Sequence, residues 1–447
     1  QRGGDYVRYV RLLRVPSLLA LFLVGFAWFA RAKMRPMLGN LFVLRFALHI
    51  AVVIGGAVVT GEACVRVAVV ILLNAHARFG VLELPWMVDP TPFVRMLRIG
   101  LPVALAAPIS ATVVRRSTGV SMWRRLVAAL GGFVVAAAAL VLLHWVSRRA
   151  DVLLADGLHG EGIARAAAEF LHTHFPGLTD GYDLANELHR ESSHVAATVF
   201  TLVATVMYAL CGRMFRPQVR RRVPGPLDSA PTLFYLFIIG SGLCLVFGAL
   251  AFYFDAYGVP DLLVGGAVSF LAYKVWGVDH YYKQPPFEQG EEWPKVDIAT
   301  ALKKRLSHQT QGRVMVVVCA SGGGIQAAAW TARVLTGLQK VEGLGEEFSR
   351  AICMISSASG GSVGSMYFLD RFDRNGGHPH ADDLRAIFES STRDSLDATG
   401  WGLAYPDFKR FLGLPFLVHK YDDRGEAIEK DWKSAMRHPD STFAGWA

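Results

Sequence analysis

Charge is scarce in this sequence: 19% of its 447 residues are Asp, Glu, Lys or Arg, while 52% are hydrophobic. With a mean hydropathy of +0.32, a chain built wholly of soluble domains is excluded. Cysteine is sparse as well. The five cysteines, Cys64, Cys211, Cys244, Cys319 and Cys353, lie far apart with no C-x-x-C. That spacing argues against a disulfide framework and against thiolate zinc ligation, and leaves them as small apolar residues of spans and core strands. No G-x-x-x-x-G-K-[ST] occurs, which argues against a P-loop. There is no internal repeat and no low-complexity tract. The formal charge of +9 could suggest nucleic acid, but the arginines cluster at the ends of apolar stretches, where they set membrane topology. Nucleic acid is therefore not an expected partner.

What the sequence has in abundance is long apolar runs, almost all within residues 1–283. A bilayer crossing needs about 20 apolar residues. The clearest candidates are 126–147, 193–211, 231–254 and 259–277, with weaker ones at 15–30, 42–60 and 97–114, giving six to seven spans. The 42–60 run holds Arg45 and His49 and continues through Glu62 and Arg66 to Leu73, a pattern that also suits one long tilted helix. His49 and His144, inside apolar runs, read as packing histidines. Short loops rich in arginine stay on the cytoplasmic side. Loop 115–125, with Arg115, Arg116, Arg124 and Arg125, and loop 212–229, with Arg213, Arg216, Arg220, Arg221 and Arg222, are both of that kind. The 255–258 turn and the acidic 148–192 loop read as external, so the last span delivers residues 284–447 to the cytoplasm. Seven spans would leave Arg2, Arg8, Arg11 and Arg14 outside. Either the 15–30 helix lies in the interface or a span precedes Gln1. No cleavable signal is legible.

Residues 284–312 read as a linker opened by the Pro- and charge-rich "KQPPFEQGEEWP", and 313–447 as a soluble α/β domain. Strand 314–320, helix 325–341, strand 351–356, helix 362–373 and helix 381–398 alternate as βαβ units with a parallel sheet would. The first strand ends in Ser321-Gly322-Gly323-Gly324. The first amides of a helix have no intrahelical partner, so this turn is an anion site. The second strand runs into "SASGGSVG", where a serine sits on a strand-to-helix turn crowded with small residues, as a nucleophile must. Ser362 fits G-x-S-x-G letter for letter, but Ser359 lies closer to the strand end, whereas Ser362 falls about a turn into the helix. A right-handed crossover puts both loops at one sheet edge. The glycine amides can then face a carbonyl attacked by the serine, as an oxyanion hole.

"SGGGIQAAAW" followed by "SASGGSVG" resembles the patatin-like and cytosolic phospholipases. "SLDATGWGLAYPDFKRFL" and "DRGEAIEKDW" resemble segments of bacterial membrane-anchored patatin-like proteins. The resemblance covers about residues 310–435. It implies a three-layer α/β domain, Ser359 as nucleophile, Gly322, Gly323 and Gly324 as oxyanion loop, and a Ser-Asp dyad completed by an aspartate in a later Asp-Gly motif. The sequence departs at three places: Ser357 stands for the usual first glycine of the elbow, Gln326 stands where Arg or Lys is common, and no Asp-Gly follows Ser359. The two Asp-Gly pairs, Asp156-Gly157 and Asp180-Gly181, fall in the external loop. Either the acid lies beyond Ala447, which is the favoured expectation, or the chain is a catalytically inactive scaffold.

Other readings compete with this one. Gly322 to Ala327 also satisfies G-x-G-x-x-A, the dinucleotide fingerprint, with Glu342 at a suggestive distance for a ribose. Five histidines between His159 and His194, including His172-Thr173-His174, could suggest a metal, but a solvated loop accounts for them. Residues 400–421, mixing aromatic with basic side chains, read equally as an interfacial lid or as a cover for the sheet. The sequence thus predicts a multi-pass helical membrane domain followed by an α/β patatin-like domain. The expected activity is a serine lipid acyl hydrolase without metal or cofactor, acting on membrane lipid from a bacterial inner membrane. Besides the bilayer, a second copy of the chain is an open partner. The alternative is a non-catalytic sensor or transporter whose cytoplasmic domain binds a lipid or nucleotide.

Overall fold

The computed structural model describes residues 2–31, 38–84, 86, 91–159, 162–174, 193–219, 225–254, 261–276, 297–310, 312–372, 377–419 and 421–441. The chain forms two compact units. One comprises Gln1–Arg216, Pro224–Asp279 and Thr399–Arg424; the other comprises Pro217–Val223, His280–Ala398 and Gly425–Ala447.

The first unit is helical. In chain order its long helices are α1 (Arg2–Leu12), α2 (Arg14–Arg31), α3 (Ala47–Phe79), α4 (Pro92–Arg116), α5 (Met122–His159), α6 (Ile163–His174), α7 (Ser193–Met214), α8 (Thr232–Phe254) and α9 (Asp261–Trp276). Five helices, α3, α4, α5, α7 and α8, are long and apolar enough to cross a membrane. The α1–α2 pair, bent by 64°, makes a sixth if it counts as one span. Two of the runs among the expected six to seven spans take other forms. The 15–30 run is the second arm of a bent pair, and the 259–277 run yields a helix of only 16 residues. Between the span Met122–Ser147 and the span that starts at Ala197, α5 continues to His159 and α6 covers Ile163–His174, so the expected 148–192 loop is largely helical where it is described. Residues 175–192 and the 255–258 turn lie outside the described residues.

α3 is the single long helix that its composition allowed. Its crossings are closed by glycine, because only a missing Cβ lets two backbones touch. A Cβ on Gly61 would come 2.6 Å from the Pro102 carbonyl oxygen of α4, and one on Gly132 of α5 would come 2.6 Å from that of Ala51. Three polar side chains inside this packing form a relay. Tyr208 Oη donates to Ser241 Oγ at 3.2 Å, which donates to Thr60 Oγ1 at 3.0 Å, which donates to the Gly56 carbonyl at 2.8 Å. Arg66 and Glu62 pair within α3 at 2.5 Å. His49 Nε2 lies 3.1 Å from the Pro226 carbonyl, as suits a packing histidine.

The second unit holds α10 (Ile298–Leu306), β1 (Val316–Ala320), α11 (Gly324–Gln339), α12 (Gly345–Ala351), β2 (Ile352–Ser357), α13 (Gly360–Leu369) and α14 (Asp383–Ser391). The two strands pair in parallel, Val317 opposite Met354 and Ala320 opposite Ser357. α12 was not foreseen; its seven residues are too few for a periodic signal. One sheet face, through Val316, Val318 and Ile355, packs on Ala332, Leu335, Tyr367, Phe368, Leu384 and Ile387. On the other face Val317 is 54% and Met354 58% exposed. Among the described residues the expected three layers are therefore two, because no helix lies on that second face.

Polar side chains pin the loops of this unit. Arg305 of α10 donates to the carbonyls of Ile352 at 2.7 Å, Gly377 at 2.8 Å and Ser349. Buried Asp370 accepts from the amides of Arg437 and His438 at 2.6 and 2.9 Å. The chain then passes along α15 (Leu396–Gly402) into the helical unit and returns along α17 (Arg424–Ala435). Residues 399–424, expected within the α/β domain, pack with the apolar helices instead.

Candidate functional site at the serine turn

β1 and β2 end side by side, and the chain leaves each through a glycine-rich turn into a helix. The two turns are tied together by a backbone hydrogen bond, Ala358 N–H to the Ala320 carbonyl at 3.0 Å. Parallel pairing makes this unavoidable: strands about 4.8 Å apart that stop level leave their following loops in contact.

Ser359 sits between β2 and α13 with φ 50° and ψ −124°. Among the described residues no other non-glycine residue has positive φ. A Cβ in that region clashes with its own backbone, so the conformation persists only where the surroundings hold it. Here they do. α13 begins at the next residue, and the Ser359 carbonyl accepts from Ser362 N–H at 3.0 Å and Val363 N–H at 3.2 Å. The strain lifts the serine out of the strand, and its side chain is exposed.

The small residues around it are required by backbone contact. A Cβ on Gly360 would run into the Gly324 carbonyl, and one on Gly361 would lie 2.6 Å from the carbonyl oxygens of Ala320 and Ser321. One turn on, a Cβ on Gly364 would lie 2.5 Å from the Ala328 carbonyl oxygen, so α13 lies directly on α11. Gly322 is in contact with the serine itself: its Cβ position is 3.2 Å from Ser359 Cβ and 3.8 Å from Oγ. Gly323 and Gly324 have φ 149° and 63°, values that favour glycine, and Gly324 opens α11. As residues at a helix start, their N–H groups lack intrahelical acceptors.

Ser359, Gly322, Gly323 and Gly324 are thus gathered at one sheet edge, and Ser362 lies within the first turn of α13. The amide of Gly360 joins them. Sequence reading did not single it out, although a nucleophile on such an elbow is normally followed by an amide donor. Glu342 does not join them. It follows the end of α11, at the opposite edge from which β2 starts, so the ribose-binding geometry of a dinucleotide site is absent here. Among the described residues no side chain hydrogen-bonds Ser359 Oγ. The nearest buried carboxylate in sequence, Asp370, ends α13 and is engaged by Arg437 and His438. Ten helical residues place it about 15 Å from the serine end of α13.

Of the remaining candidates, His174 stacks on Phe170 at 4.3 Å. The side chains of His159, His172, His189 and His194 lie outside the described residues. Asp156 and Gly157 belong to α5, and Asp180 and Gly181 lie outside the described residues. No family model, curated protein or solved structure matches the chain.

Proposed function

We propose that the chain is a membrane-anchored serine acyl hydrolase that cleaves carboxylic esters of membrane lipids, with Ser359 as nucleophile. The observation that carries the reading is the strained, exposed Ser359 at a strand-to-helix turn, 3.8 Å from the Cβ position of Gly322. A positive-φ serine between a strand and a helix is the arrangement that nucleophilic catalysis needs. The patatin-like resemblance of the two loops agrees with it.

In this reading Ser359 Oγ attacks the ester carbonyl carbon. The carbonyl oxygen takes the negative charge and accepts hydrogen bonds from amides of the 322–324 turn and of Gly360, each aimed donor lowering the barrier by about 3–4 kcal/mol. The serine proton passes to a base, which the resemblance assigns to an aspartate. The intermediate then expels the alcohol, and water hydrolyses the acyl-serine. Five apolar helices on the same chain keep the domain beside its lipid substrate, so high affinity from solution is unnecessary.

The test is covalent labelling by a fluorophosphonate in lipid nanodiscs, comparing wild type with Ser359→Ala and Ser362→Ala. Loss in Ser359→Ala alone supports the nucleophile. Equal labelling of all three, or none of the wild type, sinks it. The lack of a carboxylate or histidine on Ser359 Oγ among the described residues favours a second reading, a lipid-binding sensor without hydrolysis. Lipid binding that survives Ser359→Ala, with no turnover by wild type, would select it.

A further inference from the structure

Residues 399–417 lie far from the apolar helices in sequence yet fold with them. Their path can be followed by the residues they meet. Trp401 Nε1 donates to the Gly212 carbonyl at 2.8 Å, near the end of α7. Tyr405 packs edge-on against Tyr235, in the first turn of α8, with ring centroids 6.1 Å apart. Phe408 reaches Gly242, whose Cβ position is 2.6 Å from its ring. The chain then turns: Ser269 Oγ of α9 donates to the Phe411 carbonyl, and the Cβ position of Gly413 is 3.1 Å from Val268. Phe416 comes back to Trp276, the last residue of α9, at 6.0 Å.

α7 ends, α8 starts and α9 ends at the same end of the bundle, since consecutive helices run antiparallel. Gly242 lies ten residues beyond Thr232, about 15 Å along α8, and Val268 eight residues before Trp276, about 12 Å along α9. A hydrocarbon core is about 30 Å thick. The segment therefore enters from one end, turns near mid-span and returns to the same end. We propose that residues 403–417 form a re-entrant hairpin whose outer face contacts the acyl chains of the bilayer.

Several of the hairpin's backbone polar groups are satisfied within it, as a low-dielectric environment favours. The short helix α16 (Phe408–Phe411) ends in Gly413 at φ 76°. Gly413 N–H donates to the Arg410 carbonyl at 3.0 Å and Leu414 N–H to that of Lys409 at 2.9 Å, the paired bonds of a Schellman cap. Leu412 N–H takes the Phe408 carbonyl at 3.0 Å, and Leu417 and Val418 N–H take those of Leu414 and Pro415 at 3.1 Å each. Half-buried Asp407 is paired with Arg410 at 3.4 Å and with Arg424 at 3.7 Å, as suits a charge near lipid. Exposed Lys409 has the stem to reach back toward the headgroups. Trp401, Trp276 and the Arg216–Asp422 pair at 2.5 Å mark the mouth, where aromatic and charged side chains suit the interface.

Phe411, Phe416 and Leu417 are 52%, 60% and 57% exposed. Their surface continues into exposed Val268, Leu271 and Val275 of α9, so the covering that fits both is the same one, lipid acyl chains.

The unmodified protein tests this in nanodiscs carrying a trace of phosphatidylcholine with a diazirine at mid-acyl chain. After irradiation, carbene adducts on the peptide holding 411–417 should match those on the 263–276 peptide within about threefold, with the 383–391 peptide at background. Adducts on 263–276 with 411–417 at background would overturn the proposal. Gly242→Leu, which removes the seat of Phe408, should lower labelling of 411–417 at least fivefold and leave 263–276 unchanged. Undiminished labelling in that variant would also overturn the seating against α8. Neither readout depends on hydrolysis.

Discussion

The two units use glycine in the same way and to different ends. In the helical unit Gly61 and Gly132 let α3 touch the backbones of α4 and α5, and what they secure is the packing of apolar helices. In the α/β unit Gly360 and Gly361 let the start of α13 touch the glycine loop, and what they secure is the backbone angle of a single serine. The comparison teaches that a close backbone approach is not itself a functional signal. The strained non-glycine residue beside it is.

The comparison breaks most readily at Gly360. Gly360→Ala puts a methyl group into the Gly324 carbonyl, so the serine turn and the glycine loop must separate. Displacing one oxyanion donor costs on the order of 10²–10³ in rate. Fluorophosphonate labelling should fall by about that factor, while thermal unfolding of the helical unit stays unchanged. Labelling within about threefold of wild type would mean that the contact is mere packing, as at the helix crossings.

Gly132→Val is the counterpart. Its side chain meets the Ala51 carbonyl oxygen, and overpacking of this kind costs about 1–3 kcal/mol. The apparent melting temperature in detergent should drop, but labelling per folded molecule should hold. If labelling falls in proportion to the Gly360 variant, the two units are not independent in this respect.

How much of this was legible in the sequence follows from the same contrast. The serine turn was readable because its constraints are local: two apolar β-branched runs, each followed at once by small residues, fix both loops and, through parallel pairing, their neighbourhood. The apolar helices were readable by composition, since α5 and α8 carry unbroken runs. Where local signals end, the reading failed. Nothing within 400–421 says that Phe408 will find Gly242 or that Trp401 will find Gly212, because those partners lie more than 150 residues away. The bend between α1 and α2 did carry a signal that was not used: Pro16, in the first turn of α2, has no N–H for the Leu12 carbonyl. Arg305, which holds three carbonyls, was hidden because its partners are backbone groups and carry no side-chain signature. The uncovered sheet face was missed for the opposite reason: strands as apolar as "VVVCA" read as buried on both sides.

The smallest expected effect separates the units by what titrates. Glu347 of α12 accepts from the Thr310 hydroxyl at 2.7 Å and amide at 3.1 Å, and pairs with Arg350 at 2.7 Å. The Thr310 hydroxyl, and after it Arg350, hold its carboxyl down at about 2, against 4.5 for a free glutamate. A folded-state value below the unfolded one favours folding above about 4.5, and that contribution is lost as the pH falls toward 2. Because Glu347 is near the surface, screening keeps the effect below about 1 kcal/mol. Hydrogen exchange at β1 and at the loop before it should therefore accelerate between pH 4.5 and pH 3 in wild type, beyond the intrinsic pH dependence of exchange. In Glu347→Gln the same amides should exchange faster at pH 6 and lose that extra acceleration. Exchange within α8, held by packing rather than by titrating partners, should follow the intrinsic dependence alone in both proteins. An identical extra acceleration in α8 would show that acid loosens the whole chain and that the polar pins of the α/β unit are not its distinguishing support.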